Sequence, residues 1–290
     1  ELPRPSLDII DVVKTGMPVA VYAAVWWILS NRVPKNWKNV SDPTATFIKT
    51  TWKEQGFLDA DRVRLKKIPQ DSFFAKVIMY TQELPHALAV GEPFCRSIET
   101  TLARKKVVMD KLFLSSEDSE IFNCKVELES LEQKLNECRF VCGHERVHQE
   151  ENHTFRMLLI QVLAPFFVYS LLKSAALSLE NYGGYDRIPS LLTRGITRSA
   201  LEMAVFWCSA HWYERKADLH ASSDPAVIRA GINLFEQARQ KKATRKVSKD
   251  FYRTVLVWIL KYTHPTTAER IGYLKKSLIK NERVFKGVIE

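Results

Sequence analysis

Glycine is scarce in this chain, ten residues in 290. Neither a G-x-G-x-x-G run nor a P-loop can be found, which excludes the common glycine-rich phosphate cradles. The five cysteines, Cys95, Cys124, Cys138, Cys142 and Cys208, form no C-x-x-C pair. An odd number without a framework argues for reduced thiols rather than a disulfide scaffold. Cys138 and Cys142 stand one helical turn apart and are expected to be apolar core thiols. No internal repeat or low-complexity tract interrupts the chain, so it is expected to bury a substantial core.

Charge of one sign is in surplus. The net charge is +10, yet no zinc-finger or RNA-reading aromatic signature accompanies it, and the basic residues are spread along the chain. Nucleic acid is therefore not the expected partner. A domain facing an anionic membrane leaflet, or one working in the mitochondrial matrix, accounts better for the balance.

Two apolar stretches suggest membrane contact. Residues 16–30 are rich in Trp and Tyr and are followed by Arg32, Lys35 and Lys38. Residues 157–179 are the stronger candidate, interrupted only by Gln161 and Lys173. The segment 181–189 has turn chemistry, and 190–213 returns as a second apolar helix. A hydrophobic hairpin over 157–213 is expected, crossing a membrane or packed on protein. The chain then divides into an N-terminal membrane-associated part, 1–40, and a main domain, 41–290. Within the latter, Val63–Ile68, Phe73–Tyr80 and Pro93–Thr101 read as strands of a small sheet. One long helix is expected over 126–153, with Leu128, Leu131, Leu135, Cys138 and Cys142 at helical spacing. The expected class is α+β, mainly helical.

The residues that carry chemistry begin with His144-Glu145-Arg146-Val147-His148, an H-E-x-x-H run. Positions i and i+4 share one helix face, so two imidazoles can bind one Zn²⁺ while the glutamate between them polarises a water. Alone, such a run arises by chance in about one chain in a hundred of this size. Further along, Glu214 and Asp218 are again i,i+4. That spacing suits one carboxylate binding metal while the other hydrogen-bonds a ligand imidazole. It also suits a solvated charged face paired with Arg215 and Lys216. Nearer the C terminus, Thr263-His264-Pro265-Thr266-Thr267-Ala268-Glu269-Arg270-Ile271 carries a helix start, with Thr266 and Glu269 placed for a capping box. Arg270 is placed to pair with a buried carboxylate. If the apolar hairpin crosses a membrane twice, the two ligand segments return to one side and can share a metal.

Taken in order, H-E-x-x-H, an apolar hairpin, E-x-x-A-D and H-P-x-x-x-E-R-I resemble the membrane-linked gluzincin metallopeptidases. That family includes HtpX, the type 1 CAAX prenyl protease and the mitochondrial Oma proteases. His86-Ala-Leu-Ala-Val-Gly91 is similar to the family's strand entrance, with His86 for Asn, and His153 matches a histidine of the prenyl-protease branch. The resemblance covers residues 80–280. It implies a zincin-type core, His144, His148 and Glu214 as zinc ligands, and Glu145 as general base. It further implies Asp218 as the carboxylate behind a ligand histidine, Arg270 as its partner, and His264 near the substrate oxyanion. The family prefers Gly at the fourth position of H-E-x-x-H, where this chain has Val147, preceded by Arg146.

The expected activity is zinc-dependent endoproteolysis of membrane or misfolded proteins, the substrate lying along an edge strand near Phe94–Thr101. The alternative is an inactive relative that assists assembly or quality control of membrane complexes, such as those of the respiratory chain. Expected partners are a polypeptide substrate and membrane lipid, with homo-oligomerisation left open. The expected location is the mitochondrial inner membrane with the domain facing the matrix, and the endoplasmic reticulum second.

Overall fold

The computed structural model describes residues 38–68, 75–78, 87–153, most of 156–171, 191–243 and 264–287. The apolar segment 16–30, His86 and the turn at 181–189 lie outside the described residues, as does 172–179.

Four short strands form one sheet: β1 Lys38–Asn39, β2 Arg64–Ile68, β3 Ala75–Ile78 and β4 Ala87–Gly91, in the order β1-β2-β4-β3. β2 and β4 run parallel with Arg64 opposite Ala87, while β1 and β3 pair antiparallel at the two edges. The expected strands at 63–68 and 73–80 are therefore present. The third is not: Pro93–Thr101 lies inside helix α2, Glu92–Leu114. Its buried residues Phe94, Cys95, Ile98 and Thr101 keep helical spacing rather than alternation. Pro93 sits in the first turn, where a missing N–H costs nothing. The remaining strand is β4, from the Ala-Leu-Ala-Val-Gly run just before it.

Helix α1, Asp42–Glu54, buries Thr44, Ile48, Thr51 and Trp52 at spacings of four, three and one. This stripe closes the first core cluster with Val63 just before β2, Leu65 from β2, Val90 from β4, Phe94 and Ile98 from α2, and Cys138, Val141 and Cys142 from α3. Helix α3, Asp118–Glu150, is the axis of the molecule. Its other face, through Phe140, joins a second cluster with Val227, Ile228 and Ile232 of α5 (Pro225–Ala243) and Ile271 and Leu274 of α6 (Thr267–Gly287). The C-terminal half of α3 is thus buried on opposite sides, the pattern of a core helix rather than a surface one. Two glycines make the close approaches possible. A Cβ on Gly143 would stand 1.9 Å from the Ala221 carbonyl oxygen, and one on Gly231 2.5 Å from the Phe140 ring.

Helix α4, Leu191–Leu219, brings its C-terminal end against α3. The described residues within 156–171 are also helical. Among the described residues, no helix is long and apolar enough to cross a membrane. All five cysteines are free thiols, and Cys138 and Cys142 are buried in the first cluster as expected.

Candidate metal centre

Three elements converge on one point. Helix α3 supplies His144 and His148, one turn apart on one face. Helix α4 supplies Glu214 and, one turn later, Asp218. The capped start of α6 supplies His264 and Arg270. That cap is the expected capping box: the Thr266 N–H donates to Glu269 Oε2 at 2.7 Å, and the Glu269 N–H to Thr266 Oγ1 at 3.2 Å.

His144 donates from Nδ1 to Asp218 Oδ1 at 2.9 Å. With its proton there, Nε2 carries a lone pair, and that nitrogen lies 3.1 Å from His148 Nε2 and 3.6 Å from Glu214 Oε2. His148 Nε2 is 3.5 Å from Glu214 Oε1. One ligand atom from each of these three residues lies within 4.8 Å of the others. Burial, with His144 beside it, drives the His148 pKa down to about 3, so this ring stays neutral. Burial also pulls against a charge on His144, but the hydrogen bond and charge of Asp218, with Glu214, carry its pKa upward on balance. Glu214 is held well below the usual carboxylate range. Burial opposes its ionisation, but the His264 hydrogen bond and the surrounding imidazoles, His144 foremost, prevail.

A pocket of imidazole lone pairs and an ionised carboxylate, largely out of water, calls for a cation. Two nitrogens and one carboxylate form a borderline donor set that suits Zn²⁺ and leaves a fourth position open. The residues present therefore fit the metal.

Asp218 is the hub behind these ligands. Its side chain is fully buried. It accepts from His144, twice from Arg270 (Nε to Oδ2 at 2.7 Å) and from the Tyr273 hydroxyl. Burial raises the cost of its charge, but Arg270 and His144 bring its pKa below the ordinary value. Arg270 also lies 3.9 Å from Glu214 Oε2 and 4.1 Å over the Phe235 ring centre. Burial pushes the Glu145 carboxyl up to about 7, the largest of several effects, with His144 pulling the other way. His264, half exposed, puts Nδ1 3.2 Å from Glu214 Oε2.

Every expected site residue thus falls in or beside one cluster: His144, Glu145, His148, Glu214, Asp218, His264 and Arg270. Arg146 points elsewhere. Its guanidinium donates to the backbone carbonyls of Gln55 at 2.6 Å and His220 at 2.8 Å, tying α3 to the ends of α1 and α4. Val147 is packed inside the protein. Sequence reasoning missed Tyr273, although three residues after Arg270 it had to share that face of α6. It also missed the contact of His153 with His148, 2.9 Å between their Nδ1 atoms. No local periodicity could have signalled that contact, because Asn152 leaves the helix at φ 54° just before His153.

A pair of helix-borne imidazoles joined by a carboxylate from a second helix, with a glutamate next to the first imidazole, defines a gluzincin-type metallopeptidase core. The sequence profile of peptidase family M48 matches residues 101–278, well over half of the chain, and the chain belongs to that family. No curated protein matches it.

Proposed function

We propose that this chain is a zinc-dependent metalloendopeptidase acting on membrane or misfolded proteins. The observation that carries the reading is the convergence of lone pairs from His144, His148 and Glu214, backed by Asp218. Bound there, zinc would act as a Lewis acid toward the scissile carbonyl and would acidify a water.

The chain's own groups do the rest. Glu145, its pKa lifted toward neutrality by burial, takes a proton from the attacking water and passes it to the leaving amine. His264, with Nδ1 3.2 Å from Glu214 Oε2, stands at the rim of the cluster, on the side where the family resemblance puts the substrate oxyanion. Asp218 and Arg270 hold His144 in the tautomer that offers Nε2. The substrate adds as an extended strand to the outer edge of β3, which lies against α3. This replaces the edge expected near Phe94–Thr101, which is helical.

Membrane association is part of the proposal. Leu159, Leu163, Phe167 and Leu171 form an exposed stripe at four-residue spacing, and Met203, Val205, Trp207 and Trp212 are exposed on α4. Such surface suits contact with lipid. The mitochondrial inner membrane, with this domain on the matrix side, fits the positive charge best, ahead of the endoplasmic reticulum. Vesicles containing cardiolipin should carry the protein upward in flotation.

Zinc-loaded protein should cleave a labelled unfolded polypeptide, and Glu145→Gln should abolish cleavage while keeping the metal. An inactive assembly factor would instead bind zinc without cleaving any unfolded substrate. Arg146, which precedes the Val147 that departs from the family pattern, is turned away from the site toward backbone carbonyls.

A further inference from the structure

Beyond α3 the chain turns at Glu151-Asn152 and returns His153 to the back of His148. His153 is 2 % exposed, and its ring packs at a tilt against Tyr213, 4.4 Å between centres. Its Nδ1 lies 2.9 Å from His148 Nδ1, and its Nε2 3.2 Å from Glu151 Oε2. Glu151 is in turn anchored by Lys216 of α4 at 2.6 Å, with Arg156 at 3.9 Å.

Hydrogen-bond chemistry allows one consistent arrangement of protons along this chain. An ionised carboxylate only accepts, so His153 must carry a proton on Nε2. A neutral imidazole has one N–H and one lone pair, and Glu151 claims the N–H at Nε2. His153 Nδ1 is therefore an acceptor, and the proton in the 2.9 Å contact belongs to His148 Nδ1. That leaves the lone pair of His148 on Nε2, facing His144 and Glu214. Asp218 does the same for His144 directly, and Glu151 does it for His148 through an intervening imidazole.

We propose that His153 is a positioning residue. Held by Glu151, it fixes the tautomer and ring orientation of His148 and so presents Nε2 to the metal. This rests on His148 being a metal ligand, the reading given above. Orienting partners of this kind are worth roughly 10- to 100-fold in metal affinity.

The test is made on full-length protein stripped of metal and on the same protein titrated with zinc. Long-range ¹⁵N–¹H spectra of the metal-free protein report which nitrogen of His148 is protonated, and a chromogenic chelator in competition reports zinc affinity. Wild type should show the Nδ1–H tautomer. His153→Phe keeps a ring against Tyr213 but accepts no hydrogen bond, so it should lose that tautomer preference and bind zinc roughly 10- to 100-fold more weakly. His153→Gln, whose amide oxygen can accept, should recover part of the affinity. Glu151→Leu removes the acceptor of the His153 Nε2 proton, which frees that proton to move to Nδ1 and should drive His148 toward the Nε2–H form. This second variant covers the case in which His153→Phe fails to fold. A merely structural role would lower thermal stability but leave the tautomer and zinc affinity of the variants unchanged, which would overturn the proposal. Wild type that shows the Nδ1–H tautomer but takes up no zinc would instead defeat the metal-site reading on which it rests.

Discussion

Replacing Asp218 by asparagine separates the two jobs this carboxylate performs, which are neutralising Arg270 and orienting His144. The side chain has no exposure and accepts from His144, Arg270 and Tyr273. Asparagine keeps the volume but removes the charge and turns an NH₂ toward the guanidinium, donor against donor. Breaking a buried ion pair on one side costs about 3–5 kcal/mol. Arg270 keeps Glu214 at 3.9 Å and the Phe235 ring at 4.1 Å, so the lower end of that range applies. At roughly 2–4 °C per kcal/mol for a chain this large, the melting temperature should fall by about 6–12 °C. Zinc affinity should fall roughly 10- to 100-fold. The double variant Asp218→Asn/Arg270→Met, with no stranded cation, should recover most of the melting temperature and none of the zinc affinity. Differential scanning calorimetry of metal-free protein and chelator competition would measure the two effects. A single variant that melts within about 2 °C of wild type would refute the hub role assigned to Asp218.

Three further outcomes follow from the packing around α3. Gly143→Ala would place a methyl 1.9 Å from the Ala221 carbonyl oxygen. The clash should outweigh the helix-propensity gain of about 1 kcal/mol and leave a net loss of about 1–2 kcal/mol in urea unfolding, with weaker zinc binding as α3 and α4 part. Arg146→Ala strands the Gln55 and His220 carbonyls and should cost about 2 kcal/mol of stability in the same assay, while zinc stoichiometry stays unchanged. Glu132 takes Lys105 from α2 and Arg139 from α3, both at 2.5 Å. Burial pushes its pKa up, but the two cations bring it down on balance. A carboxylate whose folded pKa is depressed stabilises fully above the unfolded value, about 4.3, and loses that contribution as pH falls through the folded one. The pair is partly exposed, so Glu132→Gln should cost less than about 1 kcal/mol at pH 7. The difference from wild type should vanish in strong acid.

The sequence made the site more legible than the sheet, for a physical reason. Metal ligands on helices obey the four-residue repeat, so His144 and His148, and Glu214 and Asp218, could be paired without knowing the fold. The cap at Thr266 and Glu269 likewise announces its own helix start. Pro93–Thr101 misled because Phe, Ile and Thr are strand formers by propensity, whereas the Pro in the first turn and the spacing of Phe94, Ile98 and Thr101 favour a helix. Strand β1 is two residues long and is defined by its partner, which no local pattern can reveal. Arg146 lies between two ligands in the sequence. Its role is set by carbonyls 91 and 74 residues away.

Elemental analysis of the purified protein, with its substitutions, tests the central claim most directly. The account predicts about one zinc per chain, retained in Glu145→Gln and lost when His148 and Glu214 are both replaced by alanine. Zinc well below one per chain in wild type, or zinc that survives loss of both residues, would contradict it.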